Sequence, residues 1–252
     1  MISQNEIKYF SSLLQKKYRK RESKFIVEGR KTVLEGIKSE YECEVALITE
    51  KFQQKEHNYL DELKSSGIQT IKIKSSDFRR LSDTKSPEGI AAVFNKYNNK
   101  PVIKKLKDKI IVYLDDISDP GNVGTIIRNC DWFGINTIFL SSESAEIFNP
   151  KVIRASMGSI FHINAFEDIP LTGLSELKDI GYEFVVADTS GDDVFDFIKS
   201  SNTILFFSNE SAGPSDELLS TADRSVTISG KGRAESLNVA SSSAILLAEL
   251  TK

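Results

Sequence analysis

Short apolar runs separated by amphipathic stretches set the pattern of this chain. Before residue 100 the runs "KFIVEG", "VALIT", "IQTIKI" and "SPEGIAAVF" read as strands, being short, rich in β-branched and aromatic residues and bounded by turn formers. Polar stretches of helical period lie between them. A basic helix precedes a strand around Phe25 to Val27, a second helix follows Glu28, and "KEHNYLDELKSSG" ends on a helix-stopping glycine. These predict a small alternating α/β domain over residues 1–98. The stretch "NKYNNKPVIKKLKDK" leads out of it, and its Asn, Pro and Lys content marks residues 99–109 as a linker.

From Ile110 the alternation becomes regular: "IIVYL", "NVGTIIRNCDWFG", "TIFL", "GLSELKDIG", "FVVAD", "DDVFDFI", "TILFFS", "SDELLSTA", "SVTIS" and a final "SLNVASSSAILLAEL". Near-continuous apolar strands alternating with helical segments predict a mostly parallel sheet with helices on both faces, over residues 110–252. Such sheets bind ligands beyond the carboxyl ends of their strands. The loops after "IIVYL", "TILFFS" and "SVTIS" are therefore where chemistry is expected.

Composition changes this picture in one respect. The net charge of −3 conceals an asymmetry: residues 1–109 hold 24 Lys and Arg against 15 Asp and Glu, a net of +9, and the remainder holds 9 against 21, a net of −12. A basic half joined to an acidic half suggests separate domains, one facing a polyanion. The candidate cations include Lys16, Lys17, Arg19, Arg21, Lys24 and Arg30, interleaved with Tyr18 and Phe25. Phosphates need such a positive field and an aromatic beside it can stack on a base, although a solvated lysine-rich surface has the same composition.

Other classes are disfavoured. Cys43 and Cys130 lie far apart and outside any C-x-x-C pair, and His57 and His162 are solitary, so no metal is expected and the thiols read as reduced and partly buried. No run of 18 uncharged apolar residues occurs and the first residues lack a signal-peptide core, which gives the expectation of a cytoplasmic protein with no membrane partner. The phosphate patterns G-x-x-x-x-G-K-[ST] and G-x-G-x-x-G are absent, against a P-loop or ordinary dinucleotide site.

Taken together, the three loops resemble the motif set of the SpoU/TrmH family of RNA ribose methyltransferases, in the wider SPOUT superfamily. "DPGNVGTIIRNCDWFG" matches N-x-G-x-x-x-R through Asn122, Gly124 and Arg128, "LFFSNESAGPSDEL" is similar to the G-x-E-x-x-G loop through Glu210 and Gly213, and "TISGKGRAESLNVASSSAILLAE" carries S-L-N-V at Ser236, Leu237, Asn238 and Val239. "NPKVIRASMGSIFHI" looks like the family segment around Arg154, Ser156 and Gly158. The N-terminal part resembles, less specifically, the L30e-like RNA-binding domain that precedes the catalytic domain in many members, through "KFIVEG" and "RLSDTKSPEGIAAVF".

The resemblance implies a deep trefoil knot in the C-terminal domain that holds S-adenosyl-L-methionine. The cofactor would meet Phe207, Ser208, Asn209, Gly213, Ile228, Gly230, Leu237 and Ala240, largely through main-chain groups. It departs from the family at Ser208, usually glycine, and at Ser229 and Gly230, usually "PM". The implied reaction methylates a ribose 2'-hydroxyl, more plausibly in ribosomal than in transfer RNA. Asn122, Glu210, Asn238 and Ser236 join Arg128 as catalytic-site residues; Ser236 could equally be only the N-cap of the last helix. A guanidinium stays protonated, so for Arg128 electrostatic activation and phosphate positioning are safer roles than base. Arg154, with Lys151, Lys231 and Arg233, is expected to touch RNA backbone. Family members pair as homodimers through the knot domain. Two alternatives stay open: a noncatalytic RNA-binding or ribosome-assembly protein of the same fold, and a flavodoxin-like nucleotide-binding protein.

Overall fold

The computed structural model describes residues 2–97 and 100–252. In chain order the elements are α1 (Gln4–Ser12), α2 (Lys16–Glu22), β1 (Lys24–Glu28), α3 (Arg30–Lys38), β2 (Cys43–Thr49), α4 (Glu50–Lys55), α5 (His57–Ser65), β3 (Thr70–Ile73), α6 (Ser75–Phe78) and β4 (Ile90–Asn95). They continue with β5 (Ile110–Leu114), α7 (Pro120–Trp132), β6 (Thr137–Leu140), α8 (Pro150–Ser156), β7 (Asn164–Phe166), α9 (Ser175–Asp179), β8 (Glu183–Asp193), β9 (Thr203–Phe207), α10 (Asp216–Thr221), β10 (Arg224–Thr227) and α11 (Val239–Leu250). Two compact units result: Met1–Asn98 with Phe148–Phe161, and Asn99–Ile147 with His162–Lys252.

The first unit is built on a four-stranded sheet in the order β1, β4, β2, β3. β4 runs antiparallel to both neighbours, and β2 and β3 are parallel. Because side chains alternate across a strand, Ile26, Val45, Leu47 and Val93 fall into one core with Ile7, Phe10, Leu13 and Phe78. On the adjoining positions Phe25 stacks on Phe94 at 5.7 Å, on Phe148 at 4.2 Å and on Phe161 at 6.3 Å. This aromatic packing is what brings residues 148–161, with α8, into the first unit. Phe25 is therefore fully buried, and the expected base-stacking role is withdrawn for it.

The second unit holds a six-stranded sheet in the order β10, β8, β9, β5, β6, β7, parallel at every pairing. β5, β6 and β9 are buried along their whole lengths, as strands covered on both faces must be. Ile103 and Leu106, inside the stretch read as a linker, pack against the core built on Ile111, Tyr113, Phe184 and Phe206.

Sequence patterning failed most clearly at one stretch. "DDVFDFI" forms no helix: β8 runs through Asp193, and the chain then turns with Val194 donating to the Thr227 carbonyl at 2.8 Å. Pairing with β10 shifts register, Ser225 facing Val186 and Val226 facing Asp192. The intervening residues bulge out, and Gly191 passes so close that a Cβ there would lie 2.4 Å from the Val226 nitrogen. Cys130 is buried, and Cys43 is half-buried with its thiol pushed up to about 12 by burial.

Candidate active site

The first loop prepares the start of α7. Asp119 is the N-cap, its Oδ1 accepting from the Gly121 and Asn122 amides at 2.7 and 3.0 Å, and Pro120 follows at the first helical position, where its missing N–H costs nothing. Asn122 thus stands in the first turn. Upstream, Asp116 adopts φ of 53° and donates its amide to Ser141 Oγ at 2.9 Å.

The second loop is folded around Asn209. Its Oδ1 accepts from the Ser211 and Ala212 amides at 2.9 and 3.1 Å, and Gly213, at φ of 68°, donates back to the Asn209 carbonyl at 2.9 Å. The same side chain donates to the Asp116 carbonyl at 3.1 Å, tying the second loop to the first. Glu210 is presented at the tip.

The third loop ends at Asn238. This residue, not Ser236, is the N-cap of α11, with Oδ1 accepting from the Ala240 and Ser241 amides at 3.0 and 3.4 Å. Its Nδ2 donates to Asn122 Oδ1 at 3.2 Å and to Glu210 Oε1 at 3.1 Å. Asn122 Nδ2 also donates to Glu210 Oε1. One carboxylate oxygen therefore gathers two amides from loops up to 116 residues apart. The cluster is solvent-accessible, Glu210 and Asn238 being exposed.

Beside the cluster lies a cavity of about 630 Å³, in the usual range for small-molecule sites. Seven of the eight expected cofactor residues line it: Phe207, Ser208, Asn209, Gly213, Ile228, Gly230 and Leu237, as do Glu210 and Ser236. Ala240 is not on the wall; it is buried in the first turn of α11, its carbonyl accepting from Asn129 of α7 at 3.0 Å. Sequence reasoning missed Ala187, Asp188 and Thr189, which form a further wall where β8 bulges. Gly191 just after "ADTS" was the available signal.

The Asp193 carboxyl sits below its ordinary range, chiefly because of the Ser229 hydroxyl beside it, with the Phe195 amide adding to the effect.

Arg128 does not join the cluster. It is exposed on α7, about 120° round the helix from Asn122, and among the described residues it has no ion pair. The other expected cations divide. Lys16 and Lys17 are exposed, with Lys17 over the Tyr18 ring at 4.8 Å, and Arg21 pairs with Glu22 at 2.7 Å. Lys24 pairs with Glu44 at 2.6 Å, which raises its pKa, and Arg30 lies 3.4 Å from Glu56. Arg154 pairs with Asp83 within the first unit. Arg19 is a correction: it is 2% exposed and donates to the Leu13 carbonyl at 2.8 Å, so it braces the turn between α1 and α2 instead of facing a ligand.

Among the described residues no group of three or more His, Cys, Asp or Glu could hold a metal ion, and no helix is long and apolar enough to cross a membrane. Residues 109–248 match the model of the SpoU rRNA Methylase family, and residues 4–92 match that of an MRM3-like substrate binding domain. This chain belongs to the SpoU rRNA methylase family.

Within that family it is 31% identical to the Bacillus subtilis 23S rRNA (guanosine(2553)-2'-O)-methyltransferase RlmP over 246 residues, covering 97% of this chain and 95% of that protein. It is 32% identical to the Streptomyces viridochromogenes 23S rRNA (uridine(2479)-2'-O)-methyltransferase over 174 residues, 66% of this chain and 60% of that one. Among solved structures, the SpoU methyltransferase AviRb of Streptomyces viridochromogenes, in complex with AdoMet, superposes with a TM-score of 0.89 at 25% identity, covering 99% and 97% of the two chains. The three loops that carry the SpoU-family motifs are the three that meet at Glu210.

Proposed function

We propose that this chain is an S-adenosylmethionine-dependent methyltransferase that modifies a ribose 2'-hydroxyl in ribosomal RNA, in the cytoplasm. The observation that carries the proposal is the convergence of Asn122, Glu210 and Asn238 at the edge of the cavity. The names of the relatives point to the same substrate class.

The cavity fits the cofactor. Added Cβ atoms at Gly213, Gly230 and Gly232 would meet nothing within 4 Å, so the wall leaves the main chain open to a ligand. Main-chain groups at Phe207, Ile228 and Leu237 can read an adenine edge, and Asp188, Glu210 and Glu235 line the same space with carboxylates suited to a cation. Bound there, S-adenosylmethionine supplies an electrophilic methyl group on a sulfonium centre. Asn122 and Asn238 orient the ribose with amides that Glu210 keeps from rotating. Arg128 grips an RNA phosphate, and its positive field favours charge developing on the 2'-oxygen as the hydroxyl proton passes to that phosphate or to solvent. We further propose that the chain after β10 threads to form the knot, that the molecule pairs through this unit, and that the first unit recognises RNA.

Calorimetry with S-adenosylmethionine should give saturable heat, and mass-spectrometric mapping of protein-free 23S rRNA treated with enzyme and cofactor should reveal one new ribose methyl group. No heat at saturating cofactor would favour the noncatalytic alternative; a methyl group on a base would refute the ribose assignment.

A further inference from the structure

The third loop is the least supported part of the candidate site. Between Thr227, the last residue of β10, and Asn238, the N-cap of α11, the chain makes no main-chain hydrogen bond among the described residues. Gly230 and Gly232 stand in open space, so no neighbour narrows their backbone freedom. Yet Ile228, Gly230 and Leu237 of this loop line the cavity. A wall that offers main-chain groups to a ligand must be held somewhere, because every residue left loose has to be ordered when the ligand binds.

β8 reaches that wall. It runs 11 residues, against 5 in β9 and 4 in β10, and only residues 183–186 pair with β9. Beyond the bulge its last residues, Asp192 and Asp193, pair with Val226 and Thr227 at the root of the loop. The same point is fastened further: the Val194 amide donates to the Thr227 carbonyl at 2.8 Å, Val194 is fully buried, and Thr227 Oγ1 donates to the Thr189 carbonyl at 3.3 Å. Asp193 Oδ1 accepts from the Phe195 amide at 3.0 Å, which fixes the carboxylate's orientation. Beside it stand the Ser229 hydroxyl and the Lys231 charge, both on the loop and both lining the cavity. The neighbouring Asp192 is occupied elsewhere, with Arg224 at 3.2 Å.

Resting on the cofactor site proposed above, we infer that Asp193 is a positioning residue for S-adenosylmethionine: its carboxylate holds Ser229, and with it the wall at residues 228–230, in the arrangement that the cofactor meets. The residue lies outside the cluster of Asn122, Glu210 and Asn238. It sets the fraction of molecules whose loop is ready, and so acts on cofactor affinity and not on the chemical step.

The test compares the full chain with D193A, D193N and D196A, the last removing an exposed carboxylate from the same turn. Trypsin cuts after Lys231 and Arg233, both exposed in the loop, so limited digestion of the cofactor-free chain reads how often the loop is released. D193A should be cut there about fourfold faster than the parent, with its other sites cut at the parent rate. Calorimetry should show cofactor affinity about threefold lower, a modest change because the contact is open to solvent. In steady state the KM for the cofactor should rise by the same factor while kcat holds. D193N keeps an oxygen that accepts from Ser229 and Phe195 and should stay at the parent values, as should D196A.

Parent-rate cleavage at Lys231 and Arg233 in D193A overturns the inference, and so does faster cleavage at every site, which would make Asp193 a general stabiliser. D193N as weak as D193A overturns it as well. A parent chain that gives no heat with S-adenosylmethionine refutes the proposed function, and the inference with it; parent heat matched by D193A overturns the inference alone.

Discussion

The two units are both α/β and both carry a cavity at the ends of their strands, yet they handle charge in opposite ways. In the first unit the cavity is lined by five cations against two carboxylates, Glu56 and Glu88, so a net positive field reaches into solvent. In the second unit the polar groups are matched: two amides and a carboxylate satisfy one another at the cavity edge. A free cation attracts a polyanion from a distance but fixes its position weakly. A closed hydrogen-bond cluster attracts little and fixes geometry well. On the proposed function, recognition and chemistry ask for different electrostatics, and each falls to a different unit.

That contrast can be broken first at Arg128, the cation of the second unit that stands apart from the cluster. Arg128→Ala should lower turnover by about 10²- to 10³-fold, the usual loss when a charge-stabilising group is removed, with the heat of S-adenosylmethionine binding unchanged. Turnover near the parent value would falsify its role.

A smaller effect, of about 10²-fold in turnover, is expected for Asn238→Asp. Aspartate caps a helix as well as asparagine, so α11 keeps its start and the melting temperature should hardly move. The amide that donates to Glu210 Oε1 becomes a second carboxylate facing the first, and attraction turns to repulsion. Stability and single-turnover rate measured on the same sample separate capping from clustering; a fall in both together would mean that Asn238 is structural.

The smallest effect on function is expected at Arg19. Arg19→Ala removes a charged hydrogen bond and the packing of a buried stem, at a cost of about 1.5–3 kcal/mol in urea unfolding. RNA affinity should stay at the parent value, because the guanidinium is buried against the Leu13 carbonyl. Lost RNA affinity in the folded variant would restore it to the recognition surface.

Much of this was legible in the strands. "IIVYL", "TIFL" and "TILFF" are apolar at every position, and that pattern suits only strands covered on both faces, which is what β5, β6 and β9 are. "DDVFDFI" misled because its apolar spacing also suits the end of a twisted, bulged strand, and the close approach at Gly191 is a property of two strands, not one. In the site, Asn122, Glu210 and Asn238 could be named singly from their loops. Their sharing of one oxygen could not, nor could the wall at Ala187 to Thr189. The cations were the least legible: Lys16 and Arg19 belong to the same basic run, yet one is exposed and the other buried.

By itself the sequence determined most of the alternation of strands and helices, the division of charge between the halves and the three loops that carry chemistry, because period, turn residues and short motifs are local properties. The tertiary structure decided which cations remain free, which asparagine caps α11, how Phe148–Phe161 joins the first unit and where the two cavities open. Each of these depends on what lies opposite a side chain in space, and a neighbour 58 or 116 residues away leaves no mark on local periodicity.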